Sequence, residues 1–174
     1  MNECSVDNCV PLFIQQNTNN GSNVFNRSWA EYKVGFNDSK GNYWLGNELI
    51  HQLTMINGYH KLRIELRTRA GGWVSYEYTM IRVLPEMYNY LLIVAGFSAP
   101  SSWDAFGYSG GSNTMMFSTY DRDNDRWSSG NCAAHYGGGF WYNNCGHAFL
   151  NSNYNNLKWK TNYLLSSRMW LQCI

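Results

Sequence analysis

Charge is scarce in this chain. Asp, Glu, Lys and Arg make up 14% of its 174 residues and nearly cancel, to a formal net charge of +1. The basic residues are scattered and form no run, so the sequence carries no electrostatic footprint for nucleic acid or an anionic membrane. No apolar stretch reaches the roughly 18 residues that a membrane span needs. The opening Met1–Cys9 has no basic stretch followed by an apolar one, so no signal peptide is visible. Proline is rare, and there is neither a Pro/Ser linker nor an internal repeat. A His-Glu-x-x-His pair, a P-loop and a Gly-x-Gly-x-x-Gly after a strand are all missing. Their absence removes the metalloprotease, nucleotide-phosphate and dinucleotide readings.

What the chain does have is aromatic side chains, at 17%, within an apolar share of 44%. In a length that suits one domain, spanning 1–174, this fills a core and leaves rings over for a surface site. Five cysteines give an odd count: Cys4, Cys9, Cys132, Cys145 and Cys173. Cys4 and Cys9 are close enough in sequence to pair, which would leave Cys173 free or intermolecular. Asn-x-Ser sequons at Asn20, Asn26 and Asn37 are compatible with a secreted, extracellular protein.

The hydrophobic pattern divides the chain. Val10–Ile14 reads as a short strand. Ser28 followed by Glu31 is a capping-box pattern, opening a short helix through Trp29 and Tyr32 that ends at Gly35. Asn47–Thr54 places Leu49, Ile50 and Leu53 at helical spacing. From Tyr59 the period changes to two, with Leu62, Ile64 and Leu66 alternating with Lys61, Arg63, Glu65 and Arg67. Gly71-Gly72 marks a turn before a strand at Trp73–Val83, and the nearly all-apolar Tyr88–Phe97 reads as a central strand. Ser98 to about Asn156 is rich in Gly, Ser, Asn and rings, which implies loops held by a disulfide or a metal. Trp159 and Tyr163–Leu171 close the chain as a strand.

Three constellations carry chemistry. Asp121-Arg-Asp-Asn-Asp125 alternates carboxylates, an arrangement that gathers oxygens around a hard cation. An EF-hand would need Gly and Glu where Arg126 and Cys132 stand, so on spacing alone a calcium loop and a solvated acidic turn are equal readings. Cys132 and Cys145 read as a disulfide. A zinc site with His135 and His147 is the rival, but it lacks the usual tight Cys pair. Gly107-Tyr-Ser-Gly-Gly111 matches the hydrolase nucleophile elbow, yet its flanks are not a strand and a helix. His51, inside the second helix, and His60, at a strand start, read as structural.

Taken together these segments resemble the fibrinogen C-terminal domain family, which includes ficolins, tachylectins, tenascin C-termini and angiopoietins. The motifs that carry the resemblance are Phe25-Asn-Arg-Ser-Trp-Ala-Glu-Tyr-Lys-Val-Gly-Phe36 and Tyr43-Trp-Leu-Gly-Asn-Glu-Leu-Ile-His-Gln-Leu-Thr54. Leu62–Leu66, Phe117–Asp125, Asn131–Cys145, Leu150-Asn151 and Tyr154 follow in the family's order, from about Leu12 to the C-terminus. The resemblance implies an α+β fold: a twisted, mainly antiparallel sheet with short helices and a loop-rich, calcium- and disulfide-stabilised C-terminal region. It implies Ca2+ held by the Asp123 and Asp125 carboxylates and the Trp127 and Ser129 carbonyls, and a Cys132–Cys145 disulfide.

In the family's lectin branch, acetylated ligands sit beside that disulfide, against aromatic walls and backbone N–H groups around a cis peptide before the second cysteine. The matching positions are Tyr136, Asn144, Cys145, Gly146 and His147. Several departures bear on this pocket. Gly146 stands where a histidine is usual, the outer wall after Tyr154 and a second aromatic wall between Thr161 and Tyr163 are missing, and so is most of the N-terminal subdomain. The implied function is extracellular recognition without enzymatic activity. The first reading is binding of acetylated or otherwise decorated glycans, of an innate-immune kind, with avidity if the chain forms a homo-oligomer. The alternative is a protein-interaction or structural module that binds no sugar.

Overall fold

A computed structural model of the chain describes residues 10–55, 59–99, 103–153 and 155–173, with the backbone alone at 59 and 60. The strands in chain order are β1 (Leu12–Asn17), β2 (Phe36–Asn37), β3 (Tyr43–Trp44), β4 (Tyr59–Thr68), β5 (Trp73–Val83), β6 (Leu92–Ser98), β7 (Ala148–Phe149), β8 (Lys158–Trp159) and β9 (Asn162–Cys173). The helices are α1 (Trp29–Val34), α2 (Asn47–Met55) and α3 (Cys132–Tyr136). All pairings are antiparallel, in the order β2-β3-β1-β9-β4-β5-β6, with β7 and β8 attached beside the start of β9.

Local chemistry sets the first elements. Ser28 and Glu31 form a reciprocal capping box, the Ser28 N–H donating to the Glu31 carboxylate at 2.8 Å. Helix α1 stops at Gly35, where φ is 93° and a Cβ would lie 2.5 Å from the Leu45 carbonyl oxygen. Leu62, Ile64 and Leu66 are buried as their alternation predicts, and β5 spans Trp73–Val83 as read from sequence. On the opposite face of β4, Glu65 accepts from Arg168 and from the Trp170 indole N–H, binding β4 to β9.

Two strand assignments need correction. The run at Tyr88–Phe97 is not a central strand: it opens with a 3-10 turn at Glu86–Tyr88, and β6 lies at the end of the strand order. Its apolar character comes from a covering loop, because Thr114 N–H donates to the Leu92 carbonyl and Leu92 N–H to the Met115 carbonyl. The central position belongs to β9, which pairs with β1 on one side and β4 on the other. The first strand is Leu12–Asn17 and not Val10–Ile14: Val10 is exposed before it, and the strand runs on because Gln15 and Asn17 are buried polar residues whose amides donate to the Leu150 carbonyl. A polar side chain that serves as a loop's hydrogen-bond partner breaks the apolar pattern without leaving the core.

Beneath the sheet, the loop-rich half packs around rings. Tyr32, Trp44, Phe117 and Trp141 are all fully buried, with centroids of neighbouring rings 5.1–5.9 Å apart. Their polar ends are bonded: Trp44 to the Asn47 side chain, Trp141 to the Tyr90 carbonyl. The Tyr32 hydroxyl donates to the Phe25 carbonyl at 2.7 Å and accepts from the Gly139 N–H at 2.9 Å. Burial holds this phenol well above its ordinary pKa, so it remains a neutral donor. Tyr32→Phe keeps the ring but strands a buried N–H and a carbonyl. The expected loss is about 1–3 kcal/mol of unfolding free energy in urea titration; an unchanged midpoint would refute the linkage.

Candidate functional site

Residues 103–131 form no helix or long strand, and side chains shape them instead. Of the alternating carboxylates, Asp121 is exposed but engaged: its Oδ1 accepts from the Trp29 N–H at 2.9 Å and the Thr119 hydroxyl at 2.7 Å, tying the loop to the start of α1. Asn124 anchors the other side, its amide on the Phe117 carbonyl at 2.7 Å. Asp123 and Asp125 remain together. The Asp125 N–H donates to Asp123 Oδ1 at 3.1 Å, while Asp125 Oδ1 and Oδ2 accept from Trp127 N–H at 2.8 Å and Cys132 N–H at 2.7 Å.

This arrangement has an electrostatic cost. Burial pushes the Asp125 carboxyl above its usual range against the two backbone N–H donors, and the neighbouring Asp123 charge adds to the rise. No Lys or Arg forms an ion pair with either carboxylate among the described residues. Nor do three or more His, Cys, Asp or Glu side chains converge there. Two like-charged carboxylates in contact, one of them half-buried and neither neutralised, are a donor set that suits a hard cation completing its shell with carbonyls and water. Of the carbonyls in question, that of Trp127 accepts one hydrogen bond, from Gly130 at 3.2 Å, which leaves a lone pair.

Helix α3 follows at once. Its N-cap Asn131 accepts from Ala134 N–H at 2.8 Å and donates to the Thr119 carbonyl at 3.0 Å, and it ends at Gly137 with φ 69°. Cys132, fully buried, is disulfide-bonded to Cys145 with the Cα atoms 5.3 Å apart. That resolves the choice between disulfide and zinc. Cys173 is also disulfide-bonded within the chain, which corrects the expectation that it is free or intermolecular; the pairing of Cys4 with Cys9 lies outside the described residues.

The five positions matched to a ligand pocket fall on α3 and on the 144–147 segment, which the disulfide joins, and their rings have different neighbours. Tyr136 lies against Phe149 at 4.3 Å and stacks towards Tyr142 at 6.3 Å. The His147 ring meets Trp103 at 4.8 Å and Tyr108 at 6.0 Å. No cis peptide occurs among the described residues, contrary to the expectation at Asn144–Cys145. Cys145 and Gly146 reverse the chain with φ of 51° and 83° instead. Gly146 meets these demands where another residue would not: a Cβ there would stand 2.9 Å from the Gly110 carbonyl oxygen. The backbone donors are also engaged, Asn144 N–H with the Asn143 side chain at 2.9 Å and Cys145 N–H with Cys132 Sγ at 3.0 Å. Tyr154 lies outside the described residues.

The sequence matches the family profile for the fibrinogen beta and gamma chains, C-terminal globular domain, over residues 4–171. The chain belongs to the fibrinogen-related family. Human fibrinogen alpha chain is 41% identical over 154 residues, covering 82% of this chain and 17% of its own length. Fibrinogen-like protein A of Apostichopus parvimensis is 40% identical over 137 residues (77% of this chain, 46% of its own), and human Ficolin-3 is 37% identical over 139 (80% and 45%). The chain thus spans less than half the length of these curated relatives. Among solved structures, the fibrinogen-like globe domain of human ANGPTL2 superposes with a TM-score of 0.81 at 32% identity, covering 94% of this chain and 80% of that one. A lamprey fibrin D-dimer complexed with the peptide Gly-His-Arg-Pro-amide gives 0.76 at 28% identity, covering 92% and 60%.

Fibrinogen-like domains are recognition or structural modules and not enzymes. In this fibrinogen-related chain the elbow-like segment is exposed at 107–110 and buried at Gly111, and among the described residues Ser109 makes no hydrogen bond to a histidine. Its backbone is packed against Gly146. Sequence reasoning missed the role of Asp121 in docking α1 and the Trp103–Tyr108 rings around His147; neither has a local motif to signal it. The Cys132–Cys145 bridge closes a short loop, so Cys132→Ala/Cys145→Ala should lose about 3 kcal/mol in chemical denaturation. A variant as stable as the parent would show that Asp125 and Asn131 hold the loop unaided.

Proposed function

We propose that this chain is an extracellular calcium-binding recognition module that captures its ligand on the loop-rich half. The contact between Asp123 and Asp125 carries the calcium assignment. A cation there removes the repulsion between two carboxylates, and the carbonyls of Trp127 and Ser129 would complete the protein's share of the shell. Because Asp125 also accepts from the N–H that opens α3, the ion would stabilise the helix carrying Cys132 and Tyr136. Secretion is supported by the disulfide-bonded Cys132, Cys145 and Cys173.

For the ligand, the lectin-like reading takes acetylated or decorated glycans at Tyr136, Asn144, Cys145, Gly146 and His147. Its support is the aromatic wall of Tyr136 beside the disulfide and the similarity to Ficolin-3. The protein-interaction reading is favoured by a different observation: the Asn144 and Cys145 N–H groups are engaged within the chain, and His147 faces Trp103. An acetyl carbonyl therefore has few free donors. Similarity to an angiopoietin-like globe domain and to a peptide-bound fibrin supports the same side.

Calcium should raise the melting temperature of the wild type and leave Asp123→Ala/Asp125→Ala unmoved, because an ion bound only to the native state stabilises it by mass action. An equal shift in the double variant would place the ion elsewhere. For the ligand, N-acetylglucosamine titrated into calcium-loaded protein should move the amide signals of Tyr136 and Cys145 with millimolar affinity, avidity requiring an oligomer. No shift at tens of millimolar would discard the sugar arm and leave protein recognition.

A further inference from the structure

A groove of about 520 Å³ opens between the β4–β5 hairpin and the tight turn joining β8 to β9. None of its lining residues belongs to the calcium loop or to the Tyr136–His147 segment. Its wall includes Arg69, Tyr76, Trp159, Thr161, Asn162 and Tyr163, and no carboxylate. Trp159 is buried and stacks on Tyr76 at 5.0 Å, giving a rigid aromatic floor. Tyr163, 43% exposed, forms the rim.

Two cations converge on that rim. Arg69 Cζ lies 5.1 Å and Lys158 Nζ 4.4 Å from the centroid of the Tyr163 ring. Among the described residues neither forms an ion pair with a carboxylate, unlike Arg27, Lys33, Arg63, Arg122 and Arg168. Arg69 lines the groove and Lys158 lies beside it across the Tyr163 ring, so an anion at this rim is drawn by both charges and displaces no internal ion pair among the described residues.

We propose that this groove binds an anionic saccharide, with its carboxylate or sulfate on Arg69 and Lys158 and its ring against Tyr163. The volume is that of a small-ligand site. The remaining polar groups, the Thr161 hydroxyl and the Asn162 amide, are donors and acceptors together, as sugar hydroxyls require. An acidic peptide fits less well. It would need free main-chain partners, and the hairpin's own are used: Leu66 pairs with Val74, Arg67 with Trp73, and Thr68 N–H donates to the Gly72 carbonyl. The site is independent of the calcium and acetyl readings above.

The test is NMR and calorimetric titration of the whole chain with tetragalacturonate, sulfated maltotetraose, neutral maltotetraose and tetraglutamate. At least one anionic sugar should move the amides of Thr161–Leu164 and bind more weakly as salt is raised. Which of the two does so identifies the anion as carboxylate or sulfate. Arg69→Gln/Lys158→Gln should weaken binding about tenfold or more, and Tyr163→Leu should weaken it with the melting temperature unchanged. Chelating calcium should leave the titration as it was. The proposal fails if the charge variant binds as the parent does, or if neither anionic sugar binds. It fails equally if maltotetraose or tetraglutamate binds as tightly as the anionic sugars.

Discussion

The phenol of Tyr32 is the contact through which the ordered and the irregular halves meet. It sits on α1, yet it serves a carbonyl at Phe25 and an N–H at Gly139. Its ring at the same time touches Trp44 and Phe117. The loops it supports approach so closely that side chains are excluded from them: a Cβ on Gly139 would lie 2.8 Å from the Tyr32 ring, and one on Gly138 1.8 Å from the Asn151 carbonyl oxygen. A domain with few ladders between β6 and β9 must satisfy that stretch of backbone one group at a time, and buried tyrosines, tryptophans and asparagines do that here.

From that base the candidate site is assembled by overlapping ties. Asp121 fixes the acidic loop to α1, Asn131 fixes α3 to Thr119, and Asp125 fixes the two to each other at Cys132. The disulfide then joins this unit to Cys145. Each tie uses a side chain whose sequence neighbour does something different, so a dense polar segment serves packing and candidate ligand binding at once. The strained element is Asp125, held partly buried beside a like charge.

What was legible in the sequence follows from how local its cause is. The capping box at Ser28–Glu31 and the alternation at Leu62–Leu66 need only a few adjacent residues, and both were readable. The position of β6 was not, because an apolar strand covered by the 113–115 loop looks the same in sequence as one flanked by strands on both sides. The Cys132–Cys145 disulfide was readable from the two cysteines themselves, whereas Asp123 and Asp125 as a cation pair are what the family motif implies. The turn at Cys145–Gly146 was not, because it depends on Gly110, which approaches from a distant part of the chain. The Arg69–Tyr163–Lys158 group is further still from legibility, since its members are brought together only by the pairing of β8 and β9 beside β4.

The placement of β9 bears on how the chain is made. Synthesis delivers residues 162–173 after every other strand, yet they fill the gap between β1 and β4. A nascent chain therefore carries two open sheet edges, whose neighbours Ile14, Leu62 and Ile64 become fully buried only later. Closure of this sheet therefore waits on residues 162–173. A chain that stops short of residue 162 leaves both edges unpaired and is not a smaller version of the domain.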